Sequence, residues 1–247
     1  MPLWARFRRC CDGSSASTSR RAEVPLTPDA VAVIGGTGAA GFGLAARWAA
    51  AGIEVIVGSR DAERAEEAAA QLRSLFPDAR ARGLANPDAA ASAPAVVVAV
   101  PYAGQAAIYK SIAEHVGDAV VVDCTVPLAA SVGGKASHVL GVWEGSAAQQ
   151  GAARLPEGVK VCAAFHSLSA SALAEVETPC QGDVLVCGPR GSAQGVVREL
   201  VEAIPDLRYV NAGPLENARY VEPLTALLIG INRRYKTDGA GLRITGI

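Results

Sequence analysis

The sequence predicts an α/β fold, a doubly wound and mainly parallel sheet between two layers of helices, and two observations predict it. From Val31 onward, short apolar runs alternate with longer amphipathic stretches, the rhythm of strands covered by helices on both faces. The apolar runs are also continuous and rich in Val, as strands buried on both sides must be.

Taken in order, residues 1–28 (MPLWARFRRCCDGSSASTSRRAEVPLTP) have no hydrophobic period, are rich in Ser and Arg, and hold a single acid before Glu23. They read as a disordered tail. Their composition also overlaps that of organellar transit peptides, the alternative reading. Residues 29–247 read as one domain. Its strands are expected at VAVIG, EVIVG, AVVVAVP, AVVVDCT, VKVCAAFH, DVLVCG and LRYVN, mainly parallel, with helices between them. The clearest helix covers residues 61–75: Asp61 is placed to cap it, Ala, Leu and Phe form its inner face, and Pro77 stops it. Residues 192–204 repeat the pattern, with Ser192 as cap and Pro205 as stop. A further helix is expected over residues 215–231, followed by a glycine-rich end that packs over the site.

Half of the 247 residues are hydrophobic and 19% are charged, which excludes a largely disordered chain. The formal net charge is −1 and the basic residues beyond the tail are scattered among acids, so nucleic acid is not an expected partner. No stretch approaches the roughly 20 apolar residues that span a bilayer. Among six cysteines there is no CxxC pair. Cys124, Cys162 and Cys187 fall in or beside apolar strands, so the expectation is reduced thiols, a cytoplasmic setting and no metal site.

Chemistry enters at the first turn. Gly36, Gly38 and Gly41 give GxGxxG between a strand and an alanine-rich helix. In that context Gly36 is expected to permit the sharp turn, Gly38 to let a pyrophosphate approach the backbone, and Gly41 to let the helix pack on the strand. The helix start then aims its N–H groups at the phosphates, with the Thr37 hydroxyl beside them. This is the signature of a Rossmann-type dinucleotide site. About 20 residues on, where an NAD site places a carboxylate on the ribose, the chain has Gly58, Ser59 and Arg60, with Arg64 one helical turn later. A hydroxyl and two guanidinium groups can bind the 2′-phosphate of NADP, which a carboxylate would repel.

Ligands of open α/β sheets lie beyond the carboxyl ends of the strands. Three such ends are informative. Val100, Pro101 and Tyr102 offer an apolar edge and an aromatic ring to flank the adenine or ribose; Asp123, Cys124, Thr125, Val126 and Pro127 end where a nicotinamide would lie. His166 begins a small-residue segment that includes Ser169 and Ala170. His166 reads either as a hydrogen-bonding residue for a loop or a cofactor amide, or as a general acid, and Asp123 as a loop brace.

Several separated segments together resemble one family: IGGTGAAGFGLAARWA, VGSRDAERA, VVVAVPY, VPLA, EGSAAQQ, AAFHSLSA, DVLVCG, NAGPLENARYVEPLTALLIGINRRYK and GLRITGI. The chain is similar to the NADPH-dependent reductases of coenzyme F420, also called F420:NADP oxidoreductases. The resemblance covers nearly all of residues 31–247. It implies direct, reversible hydride transfer between NADP(H) and the deazaflavin F420, with no residue acting as a catalyst in its own right. It further implies that Thr37, Gly38, Ala39 and Ala40 bind the pyrophosphate and that Ser59, Arg60 and Arg64 bind the 2′-phosphate. Val100, Tyr102, Val126 and Ala170 would line the dinucleotide, and residues 166–170 and Leu242 the deazaflavin, so that residues 166–247 form its side of the site. A homodimer is implied as well. The alternatives are an NADP-dependent reductase of an imine, ketoacid or metal chelate, which would need a proton donor such as His166 or Asp123, and a non-catalytic NADP-binding module.

Overall fold

The computed structural model describes residues 28–247, so the tail expected over residues 1–28 lies outside the described residues apart from Pro28. Eight strands form one sheet: β1 (Ala30–Ile34), β2 (Glu54–Ser59), β3 (Ala81–Ala85), β4 (Ala95–Val98), β5 (Val120–Asp123), β6 (Val161–Ala163), β7 (Gly182–Cys187) and β8 (Leu207–Gly213). Their spatial order is β3-β2-β1-β4-β5-β6-β7-β8. The chain winds outward from β1 to β3, then returns to place β4 on the other side of β1. That reversal makes the β1/β4 boundary the switch point, where an open α/β sheet binds its ligand.

The helices are α1 (Ala39–Ala50), α2 (Ala62–Leu75), α3 (Asn86–Ala90), α4 (Tyr102–Ile112), α5 (Ala147–Ala152), α6 (Ala170–Ala174), α7 (Ser192–Glu202), α8 (Ala218–Val221) and α9 (Leu224–Tyr235). Alternate residues of one strand feed opposite cores. Val31 and Val33 of β1 join Leu44, Trp48, Leu72 and Leu200 on one face. Ala32 and Ile34 join Ile56, Ile108, Tyr109 and Ile112 on the other. Each large apolar side chain so buried contributes about 1.5–3 kcal/mol, which is why the strands are apolar throughout. Trp48 is fully buried, meets Phe165 edge to face and donates its indole N–H to the Leu200 carbonyl.

The sheet is mainly parallel, as expected, and its one exception among the described residues is that β7 pairs with β6 antiparallel, with β8 parallel to β7. The connection from β6 carries only the short α6 at the carboxyl edge, so the chain re-enters the sheet from that edge and runs back. Gly191, not Ser192, occupies the cap of α7, with φ +101°, a left-handed conformation suited to glycine. The helix expected over residues 215–231 is divided into a 3₁₀ turn (Leu215–Asn217), α8 and α9. Pro223, between α8 and α9, has no N–H to continue the ladder. The sequence reading also passed over β3, whose residues ARGLA lack a Val-rich run. Asp61 caps α2 as expected, accepting from the N–H groups of Glu63 (2.9 Å) and Arg64 (3.4 Å).

Candidate active site

The turn from β1 to α1 departs from the expected division of labour among the glycines. Gly35, which precedes the motif, has φ +84°, whereas Gly36, Gly38 and Gly41 are outside the left-handed region. Gly35 makes the sharp turn. A Cβ at Gly35 would also lie 2.6 Å from the Ala99 carbonyl oxygen, so β4 could not keep its approach. Gly36 has its own steric reason: a Cβ there would stand 2.9 Å from the Val33 oxygen. At Gly41 a Cβ would strike the Gly35 carbonyl, which keeps the helix tight on the turn. Gly38 caps α1, and its carbonyl accepts from Phe42 N–H at 2.7 Å. The N–H groups of Ala39 and Ala40, in the first turn, are thereby left for a ligand.

Two of the cavities that meet at this turn also share Ala99, Val100 and Pro101 at the end of β4. The larger, about 700 Å³, is lined by Thr37, Gly38, Ser59, Arg60, Asp61, Arg64, Asn86, Val100 and Pro101, with Gly104, Ala107 and Ile108 of α4 as its apolar wall. Ser59 is buried, while Arg60 and Arg64 are exposed at the mouth. Neither arginine forms an ion pair among the described residues, in contrast to Arg73, which meets Glu66 at 2.7 Å. Their positive charge is available to an anion.

The smaller cavity, about 330 Å³, is lined by Gly38, Ala39, Ala40, Val100, Pro101, Tyr102, Cys124, Val126, Leu128, Phe165, His166 and Thr225, among others. Tyr102, expected to flank the adenine or ribose, lines this cavity and not the larger one. As the first residue of α4 it lies on the opposite side of the strand end from Ala107 and Ile108. Thr225 of α9 donates its hydroxyl to the His166 carbonyl at 2.8 Å, which holds the C-terminal helix over the site.

His166 is 5% exposed, and neither ring nitrogen has a hydrogen-bond partner among the described residues. Burial pushes its imidazole down to about 4, so at neutral pH the ring is uncharged. Two unpartnered ring nitrogens beside a cavity fit a polar ligand that supplies the missing hydrogen bond.

Asp123 is fully buried beneath the same loop. Its carboxylate accepts from Tyr109 OH (2.6 Å), Gln105 Nε2 (2.9 Å) and Thr125 N–H (2.7 Å). Gln105 Nε2 also donates to the Ala147 carbonyl, while the Ala147 and Ala148 N–H groups donate to Glu222. Burial raises Asp123 to about 6 and Glu222 to about 8 against these hydrogen bonds. The network joins β5, α4, the start of α5 and the α8/α9 junction. It braces the loop that carries Cys124, Val126 and Leu128.

Gly36, Gly41, Pro127, Ser169, Ala170 and Leu242 are absent from the linings of both cavities. Pro127 lies between Val126 and Leu128, and its carbonyl accepts from Leu140 N–H. Ser169 caps α6, and Ala170 begins it. Leu242 is held at the start of β7, its carbonyl accepting from Asp183 N–H at 2.8 Å. Because β7 runs antiparallel to β6, that start faces the carboxyl ends of the parallel strands.

Arg47, in the last turn of α1 and 2% exposed, has a role that the motifs of the sequence do not announce. Its guanidinium donates to the carbonyls of Leu173 (3.1 Å), Thr178 (2.9 Å), Ala172 (2.6 Å) and Glu175 (2.7 Å). It satisfies the carbonyl end of α6 and fixes that helix against α1. An arginine inside an apolar stretch such as GLAARWAA was the available signal, since burial demands that every donor find a partner. Asn86 and Thr225 were missed too, and nothing in their local sequence distinguishes them.

A doubly wound sheet with a glycine turn at its switch point, and a hydroxyl and two guanidinium groups past its second strand, defines a Rossmann-type dinucleotide-binding protein. Residues 30–127 match the family model described as NADP oxidoreductase, coenzyme F420-dependent. A protein of Methanothermobacter thermautotrophicus named F420-dependent NADP reductase is 47% identical over 220 residues, 88% of this chain and 95% of that protein. Its namesake from Methanothermobacter marburgensis is 40% identical over 220 residues, 88% of this chain and 98% of its own length. A solved structure from Arthrobacter sp. FB24 superposes with a TM-score of 0.73 at 26% identity, covering 88% of this chain and 98% of its own. The chain belongs to the F420-dependent NADP reductase family.

Proposed function

We propose that this chain is an oxidoreductase that transfers a hydride reversibly between NADP(H) and the deazaflavin coenzyme F420. The observation that carries the reading is the pair of cavities sharing Gly38, Val100 and Pro101 at the switch point. A dinucleotide laid across Gly38 would have its adenosine half in the larger cavity and its nicotinamide in the smaller. When both coenzymes are bound, they supply the hydride chemistry, and the protein supplies binding, orientation and exclusion of water.

In this reading the N–H groups of Ala39 and Ala40, with Thr37 and Gly38, hold the pyrophosphate. Ser59, Arg60 and Arg64 hold the 2′-phosphate. Val100, Tyr102 and Val126 border the nicotinamide. His166 holds a hydrogen bond to a ring amide as a neutral imidazole. The segment of Ser169, Ala170 and Pro127 gives a deazaflavin room to stack, and Leu242 belongs to that side. Orienting reacting carbons at about 3–3.5 Å supplies much of the rate without an acid or base.

Residues 29–247 act as one domain in this reading, with residues 166–247 forming the deazaflavin side. Large exposed apolar side chains, Trp143 at 98%, Tyr235 at 74% and Tyr220 at 69%, favour a homodimer. Among the described residues no helix is long and apolar enough to cross a membrane. Cys124, Cys162, Cys180 and Cys187 are free thiols. The free thiols support work in a reducing compartment such as the cytoplasm.

Anaerobic mixing of the protein with NADPH and F420, followed at the deazaflavin absorbance, tests the activity. Bleaching is the expected result. Tight NADPH binding with no bleaching would refute it.

A further inference from the structure

We infer that Asn86 reads the edge of the adenine ring, so that the chain distinguishes an adenine dinucleotide from one carrying a different purine. The inference rests on the larger cavity's taking the adenosine half of NADP(H). Asn86 opens α3 one step beyond the Ser59–Ala85 pair that ends the β2–β3 register. Its carboxamide thus stands next to Arg60 in the row of strand ends, on the lining of the larger cavity.

The side chain is 4% exposed, and its Oδ1 has no hydrogen-bond partner among the described residues. It does not cap α3: Ala85 holds that position. Gly58 gives the amide its room, because a Cβ there would lie 3.1 Å from Oδ1. A buried amide oxygen without a donor is costly, and a donor brought by a ligand removes the cost.

The surroundings identify that donor. Pro101, Ala107 and Ile108 supply an apolar wall, and Gly104 leaves that wall without a side chain at its centre. An apolar slot with a buried carboxamide residue on its lining and guanidinium groups at its mouth matches a flat base on a phosphorylated ribose. A carboxamide pairs with adenine through the base's amino group and the neighbouring ring nitrogen. Hypoxanthine presents a keto oxygen where adenine presents the amino group. Oδ1 would then face another acceptor, and the buried oxygen would stay unpaired.

The test compares the full chain with Asn86→Leu, which keeps the volume and removes the amide; Asn86→Ser substitutes if the leucine variant does not fold. NADPH and its hypoxanthine analogue are compared as substrates with F420. Binding of 2′-phosphoadenosine 5′-phosphate is measured by calorimetry. The wild-type chain is expected to favour NADPH in kcat/KM by about tenfold or more, the scale of one bidentate base contact. In the variant the preference should fall to within about twofold, with weaker binding of the adenosine fragment. Equal use of both cofactors by the wild type, or a variant that loses both equally and keeps the preference, overturns the role of Asn86. Fragment binding that Asn86→Leu leaves unchanged does so too. A wild-type chain that does not bind the fragment overturns the placement of adenosine in this cavity, and the Asn86 inference with it.

Discussion

Replacing Arg60 and Arg64 together by alanine is expected to convert an NADPH-selective chain into one that barely distinguishes NADPH from NADH. Both guanidinium groups are exposed at the mouth of the larger cavity, and neither forms an ion pair among the described residues. A charge-assisted hydrogen bond to a phosphate is worth about 1.5–3 kcal/mol, and exposure to solvent reduces that to about 1–2 kcal/mol per arginine. The double variant should therefore lose about 2–4 kcal/mol of NADPH affinity, roughly 30- to 1000-fold in Kd. NADH has no 2′-phosphate and should lose less than about threefold on the same affinity scale. The fold should be spared, because Asp61 caps α2 through the N–H groups of Glu63 and Arg64, not through the Arg64 side chain. Fluorescence titration with both cofactors at two salt concentrations measures the change, since added salt weakens the wild-type affinity for NADPH more than that for NADH. Equal losses for the two cofactors would show that the arginines shape the chain and do not select the phosphate.

Arg47→Met should destabilise the chain by about 3–5 kcal/mol in urea unfolding, because it removes a buried cation and leaves carbonyls at the end of α6 unpaired; a change below about 1 kcal/mol would refute the clamp. Glu222→Gln should reveal a carboxyl whose burial raises it from 4.5 to about 8. A raised folded value means that its contribution is complete below 4.5 and is lost as pH rises through 8, so the stability of the wild type relative to the variant should fall between pH 5 and 9; a flat difference would exclude the raised value. His166 acts in the opposite sense between about 4 and 6.5 and cancels in that difference. Ala170→Leu should reduce turnover with F420 far more than NADPH affinity, compared by single-turnover kinetics and titration; an unchanged rate would remove Ala170 from the deazaflavin side.

The alternation of Val-rich runs with amphipathic stretches was enough to read the layers and most strands, because burial on both faces leaves a strong mark on composition. It could not give direction: DVLVCG reads the same whether it runs up or down the sheet. The direction of β7 depends on how short α6 is and where it sits, and those are tertiary facts. β3 was illegible for the converse reason. As an edge strand of small residues it carries no Val-rich signal, and Glu66, which accepts from Gly83 N–H at 2.8 Å, helps to hold it. In the site, residues tied to a short local pattern were legible: the turn glycines, Ser59, Arg60 and Arg64. The reading nevertheless named the wrong glycine for the sharp turn, since GxGxxG spacing records contacts and says nothing of φ at Gly35. Arg47, Asn86 and Thr225 reach the site or its supports only through distant pairings. No window of sequence contains them.

The side chains around the smaller cavity also bear on which acceptor the chain serves. An imine or ketoacid reductase must deliver a proton beside the acceptor as the hydride arrives, whereas hydride exchange between two coenzyme rings needs alignment first. No Lys, Arg, Asp or Glu lines the cavity. His166 does, but burial pushes its imidazole down to about 4, and among the described residues neither ring nitrogen has a carboxylate partner to favour the imidazolium. Asp123, the other candidate, has its carboxylate committed to Tyr109, Gln105 and Thr125 below the loop. The Thr225 hydroxyl is engaged by the His166 carbonyl, and burial raises the Cys124 thiol. Such a lining can position flat rings and keep water away, and beyond the Tyr102 phenol it holds no uncommitted acid. Hydride transfer to a deazaflavin is the chemistry that this poverty of acids accommodates.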